Sequence, residues 1–173
     1  MVTAQRKGEV IGAEWSEFDR ENGLWTIPAD RAKNAELHAV PLSPLALDVL
    51  DAIEANVAGS RYLFPSPRGD QPVAAPSVDH AVRNNRDEIG VGDWTPHDLR
   101  RSAATRMASL GVDRLVLSKV LNHVDRSVTG IYDTHRYVDE KRAALERWGR
   151  RLEEIISGET APAKVVELAE RRK

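Results

Sequence analysis

The step at Ser43-Pro44 constrains the fold most, because the periodicity of the chain changes there. Ahead of it, residues 14–42 read as short strands. Trp15 and Phe18 lie in an apolar stretch, and Arg20-Glu21-Asn22-Gly23 forms a turn. Leu24-Trp25-Thr26-Ile27 makes a second strand and Leu37-His38-Ala39-Val40 a third. Asn-Gly between apolar runs is a hairpin signal, and Pro28, with no N–H for a ladder, ends the second strand. The loop from Ala29 to Glu36 carries Lys33 and Asn34 at its tip. Beyond the step, Ser43 caps a helix, Pro44 takes its first position, and Ala46, Val49, Leu50 and Ile53 recur at helical spacing. This order predicts an α+β chain, mainly α-helical, with a small three-stranded antiparallel sheet near the N-terminus.

The helical part can be read further. Tyr62 to Gly69 is a connector with Tyr62 and Phe64 as core anchors, and Ser77 caps a helix holding Val78, Ala81 and Val82. Thr95-Pro96-His97-Asp98 is the best-written helix start. Thr95 caps, Pro96 suits the first position, and Asp98 completes a variant capping box while complementing the dipole. Leu99, Ala103, Met107 and Leu110 form the buried stripe, and Gly111 stops the helix. A helix from about Asp113, with Leu115, Val116 and Val120 apolar, ends at Leu121-Asn122-His123, where Asn122 suits a left-handed cap. The last strong helix runs from about Val138 to Ile156 with Leu145, Trp148, Leu152 and Ile155 on one face, and a loose tail follows Gly158.

Length and composition set the limits. At 173 residues the chain favours one domain with a real core. No apolar run approaches the ~18 residues of a membrane span, and Met1 opens no signal-peptide pattern. The absence of cysteine excludes disulfides, thiolate metal sites and a Cys nucleophile, and is compatible with a reducing, cytoplasmic setting. The 25 Lys and Arg against 27 Asp and Glu leave a net charge of −2, where DNA-binding domains are usually basic. Clusters such as Arg100-Arg101 and Arg150-Arg151 matter more than the sum, since a phosphate backbone feels the local field.

His97 and Arg100 stand three residues apart on one helix face. In the first turn, free N–H groups and the positive dipole end attract an anion, and a guanidinium matches phosphate oxygens. The same pair equally suits a solvated surface. His123 at a turn reads alone as structural, and a lone Tyr132 as a half-buried packing residue. Tyr137 competes as a nucleophile but begins the long helix and fits packing better. Arg6 and Lys33 carry no signal by themselves.

Their order does. QRKGEVIGAEWSEFD resembles the stretch of tyrosine recombinases of the phage integrase type that carries their first catalytic arginine and first strand. RAKNAELHAVPLSPLAL resembles their hairpin lysine, third strand and next helix, and YLFPSPRG their connector. TPHDLRRSAATRMASLG is similar to their His-x-x-Arg helix, and VLNHVDRSVTGIYD to their second histidine with the nucleophilic tyrosine nine residues on. KRAALERW resembles the following helix. The resemblance covers about residues 3 to 152. It implies the catalytic set Arg6, Lys33, His97, Arg100, His123 and Tyr132, with Glu9 supporting the first arginine. Ala4 stands where the family usually has Gly, and Asn122 where Gly is common. The family also has helices, and a DNA-clasping domain, ahead of the position of Arg6. The expectation is therefore an N-terminally truncated catalytic domain at residues 1–157 and a C-terminal tail at 158–173.

The resemblance implies site-specific cleavage and rejoining of double-stranded DNA through a 3′-phosphotyrosine, with no cofactor or metal and no membrane, and a homotetramer on DNA for the full-length protein. A tyrosine hydroxyl, with a pKa near ~10, needs help to attack at neutral pH. By resemblance, Arg6, Arg100 and His123 stabilise the transition state, His97 orients or deprotonates Tyr132, and Lys33 protonates the departing 5′ oxygen. Two other readings stay open. One is an inactive recombinase fragment that only binds DNA or a protein. The other is a metal-dependent phosphohydrolase using His97, Asp98, His80 and His123, for which no ligand spacing such as H-E-x-x-H is present.

Overall fold

The structure, a computed structural model, describes residues 1–57, 59–123 and 136–158. Arg6 opens a single-turn helix, α1 (Lys7–Ile11), followed by a 3-10 turn at Trp15–Glu17. Strands β1 (Phe18–Asp19), β2 (Leu24–Ile27) and β3 (His38–Pro41) form an antiparallel sheet in that order, with Phe18 and Val40 both opposite Trp25. Strand β2 ends immediately before Pro28, as the missing N–H requires.

Helix α2 (Pro44–Glu54) starts where its cap predicts, since the Ser43 side chain accepts from the Ala46 N–H. A small hairpin of β4 (Pro65–Ser66) and β5 (Gly69–Pro72) leads to α3 (Ala75–Asn84) and α4 (Arg86–Ile89). Then come α5 (Pro96–Ser109), α6 (Arg114–Val120) and the long α7 (Val138–Ser157). Helix α7 packs against β3, α2, α5 and α6. It buries Leu145, Trp148 and Leu152 against Trp25, Ile27 and Val40 of the sheet side and Ala103 and Met107 of α5. Trp148 is fully buried. Truncating such a residue to Ala costs about 3–5 kcal/mol.

The mainly helical α+β architecture with its three-stranded sheet is as expected. Several details differ. The first strand shrinks to two residues because Trp15 enters a 3-10 turn. In the connector Leu63 is buried, whereas Tyr62 and Phe64 are only half-buried. Alternation explains this, because Leu63 binds back to the Ala13 carbonyl and faces the core. Helix α3 begins at Ala75 with Ala74 as cap, not Ser77, because Pro76 is tolerated in a first turn whose N–H groups are free anyway. It has no buried residue, and Ala81 is exposed. Leu115 and Ile155 are exposed as well, and Lys141 takes a buried place on α7 instead. No described helix is long and apolar enough to cross a membrane.

Candidate active site

Helix α5 starts as its sequence dictates. Asp98 Oδ2 accepts from the Thr95 N–H at 3.0 Å and from the Thr95 hydroxyl at 2.7 Å. His97 therefore sits exposed in the first turn and Arg100 one turn deeper. Arg100 shares the inward face with Ala103 and Met107, and only 6% of it is accessible. A buried guanidinium must find acceptors. Arg100 donates through Nη1 to the Ala4 carbonyl at 2.6 Å and through Nη2 to the Leu121 carbonyl. Burial, then the neighbouring Arg6 cation, pull its pKa down to about 10, which leaves it charged at neutral pH.

Arg6 approaches from the other side. Its Nη1 meets Glu9 Oε1 at 3.1 Å, and its backbone N–H donates to Glu9 Oε2 at 3.0 Å. Glu9 is 3% exposed, so a buried carboxylate fixes both the backbone and the guanidinium of Arg6. Arg6 Nη2 donates to the Asn122 carbonyl at 3.1 Å. The consecutive carbonyls of Val120, Leu121 and Asn122 at the end of α6 thus receive Gln5, Arg100 and Arg6. A helix C-terminus leaves such carbonyls unpaired and carries the negative dipole end, so two like-charged guanidiniums can be held side by side.

Arg6, Lys33, His97 and Arg100 line one cleft of about 540 Å³, together with Lys7, Arg83 and Arg86. Lys7 Nζ pairs with Asp79 at 2.7 Å. Lys33 stands exposed on the β2–β3 loop, as the hairpin reading expects. His123 follows Asn122, whose φ of 49° makes the expected left-handed cap. It is not among the residues lining the cleft, yet burial followed by Arg100 and Arg6 lowers its pKa, which favours the neutral imidazole. Tyr132 lies outside the described residues. Tyr137 caps α7 with its ring 4.9 Å from Lys119 Nζ, a packing role.

Sequence reasoning missed His38, which reads as a strand residue. It is 5% exposed on β3, with the imidazole facing the Val120 carbonyl and Nε2 left without a hydrogen bond. The motif HAVPLS held no local signal for this, since the partner lies on α6. Among the described residues no group of three His, Asp or Glu could hold a metal ion. Asp98, which the metal reading needs, is engaged by Thr95 and by Arg101 at 3.3 Å.

The model of the phage integrase family matches residues 1–138. Prophage integrase IntA of Escherichia coli K12 is 31% identical over 160 residues, which are 91% of this chain and 38% of that protein. Tyrosine recombinase XerA of Pyrococcus furiosus is 26% identical over 159 residues, 91% of this chain and 54% of its own length. The integrase of mycobacterium phage Brujita has a similar fold, with a TM-score of 0.62 at 20% identity over 81% of this chain and 45% of that one. The Tn1549 transposon integrase, solved in complex with circular intermediate DNA, gives 0.59 at 18% identity over 83% and 54%. The chain spans 38% to 40% of the prophage integrases IntA and IntZ and 54% of XerA.

Proposed function

Because the chain belongs to the phage integrase family, we propose that residues 1–157 are the catalytic domain of a site-specific recombinase that cuts and rejoins double-stranded DNA through Tyr132. Residues 158–173 would be its tail, and the full-length protein would act as a tetramer on DNA. One observation carries the reading: Arg6, Lys33 and the His97–Arg100 pair of α5, far apart in sequence from one another, line the same cleft.

The chemistry suits these groups. The Tyr132 oxygen bonds to phosphorus as the bond to the 5′ oxygen breaks. Its phenolic proton leaves toward His97, and Lys33 supplies a proton to the departing oxygen. Arg6 and Arg100, held rigidly on the α6 carbonyls, meet the charge that builds on the non-bridging oxygens. The neutral His123 donates one further hydrogen bond there. The phosphotyrosine conserves the energy of the broken bond, so religation needs no nucleotide.

A pool of nicked duplexes randomised around the break tests this. An SDS-resistant adduct should form, and mass spectrometry should find the phosphate on Tyr132. Tyr132→Phe should abolish it, and Arg6→Ala or Arg100→Ala should slow it by roughly 10²-fold or more. An adduct that survives Tyr132→Phe, or cleavage that depends on a divalent metal, would overturn the proposal.

A further inference from the structure

We propose that Asn34 and Asn122 form a latch that sets Lys33 over the phosphate, making both positioning residues for the proton-donating step. The inference rests on the function proposed above. The two amides are paired reciprocally. Asn34 Nδ2 donates to Asn122 Oδ1 at 3.0 Å, and Asn122 Nδ2 donates to Asn34 Oδ1 at 3.2 Å. The pair closes a gap of 88 residues in sequence and ties the β2–β3 loop to the end of α6.

The loop shows why such a tie matters. Its base is fixed by the Arg31 and Ala32 N–H groups on the Pro28 carbonyl, by buried Ala32, and by Arg31 bonded to Glu17 and to the Glu9 carbonyl. Past Ala32 the tip is exposed at Lys33, Ala35, Glu36 and Leu37, and Ala35 turns it with a left-handed φ of 56°. Asn34 is the half-buried residue of that tip, adjacent to Lys33. Asn122 faces two ways. Its carbonyl receives Arg6, and its side chain receives the neighbour of Lys33. One residue thus sets the spacing between an arginine and a lysine assigned to the same phosphate. Glycine would adopt φ 49° with less strain, so what asparagine adds here is its amide. Two neutral hydrogen bonds at a half-exposed site close and reopen readily, which suits a lysine that must meet an incoming backbone.

Leaving-group chemistry provides the test. A 5′-bridging phosphorothiolate expels a thiolate, which needs no proton at neutral pH because thiols ionise near ~8.5. On ordinary nicked DNA, Asn34→Ala and Asn122→Gly should each slow adduct formation on the order of 10-fold, the scale of a modest misplacement. The double variant should be no slower than the worse single one, because both remove one pair. On the sulfur substrate the losses should shrink to within about twofold, as for Lys33→Ala. Equal losses on both substrates, or none on ordinary DNA, would overturn the latch. A protein that forms no adduct on either substrate refutes the recombinase reading instead. The latch is then read by trypsin cleavage after Lys33. Asn122→Gly should be cut there roughly tenfold faster with its melting temperature little changed. Unchanged cutting overturns the latch in that case too.

Discussion

Acid should destabilise this fold through His38, and the size of the effect follows from its surroundings. Burial, then Lys141, hold the imidazole pKa at about 3, against an ordinary value of 6.5, and Arg6 and Arg100 add to the effect. Below pH 6.5 the unfolded chain binds a proton that the folded chain refuses. The stability present above pH 6.5 is therefore lost as pH falls toward 3. Between pH 7 and pH 5 the linkage relation gives a loss of about 2 kcal/mol from this one group. With an m-value near ~2 kcal/mol/M, the urea midpoint should drop by about 1 M. The buried Trp25 and Trp148 report the transition by fluorescence. The control is His38→Gln, whose amide N–H can still reach the Val120 carbonyl but does not titrate. Whatever its absolute stability at pH 7, its drop between pH 7 and pH 5 should be smaller by about 2 kcal/mol. His123, also depressed, contributes a residual slope of the same sign in both proteins. If the variant loses as much stability as the parent over this range, or if NMR titrates His38 above about pH 6, the reasoning fails.

Two further outcomes concern the packing of α7. A methyl group at Gly149 would lie 2.9 Å from Ser43 Oγ and 3.0 Å from its Cβ. Gly149→Ala should therefore lower stability by about 1–3 kcal/mol in urea unfolding, despite the better helix propensity of alanine. Lys141 is buried with its Nζ 2.5 Å from the Ala39 carbonyl, and burial brings its pKa down to about 8. Lys141→Met should stabilise by about 1–3 kcal/mol at pH 7. That advantage should shrink between pH 8 and 10.5, where the folded lysine is already neutral and the unfolded one is not, so unfolding curves at pH 7 and 10 check it.

The parts legible in the sequence were those fixed by local chemistry. Ser43, the Thr95–Asp98 box, Pro28, Gly111 and Asn122 each act within a few residues, and each marks its boundary in the structure. What escaped depends on partners far along the chain. Helix α1 is a single turn held by Glu9, too short for a periodic signal. The hairpin of β4 and β5 is largely exposed and offers no apolar alternation. Arg100 was identified for its chemistry, yet its place on the buried stripe was invisible, because a hydrophobic pattern counts arginine as outside. Ile155 fits the α7 stripe but is 48% exposed, in the last turn of a helix that ends at Ser157. Family order, rather than periodicity, brought Arg6 and Lys33 into the candidate site, and the cleft gathers both.

Ala4 and Asn122 share a physical role. Both have left-handed backbones, with φ of 55° and 49°. A side chain in that region costs about 1 kcal/mol, less for asparagine. Such strain persists only where the surroundings enforce it. Here both residues turn a carbonyl toward an arginine, and the pairing is crossed. Ala4, two residues before Arg6, holds Arg100, while Asn122, at the end of α6, holds Arg6. Arg100 also reaches the Leu121 carbonyl, so the end of α6 holds both arginines while the N-terminal segment holds Arg100 as well as carrying Arg6. A shift of α6 relative to the N-terminal segment must therefore move both guanidiniums together. The left-handed turns aim the two carbonyls at the arginines. At Asn122 the side-chain amide also brings the Lys33 loop into the same unit.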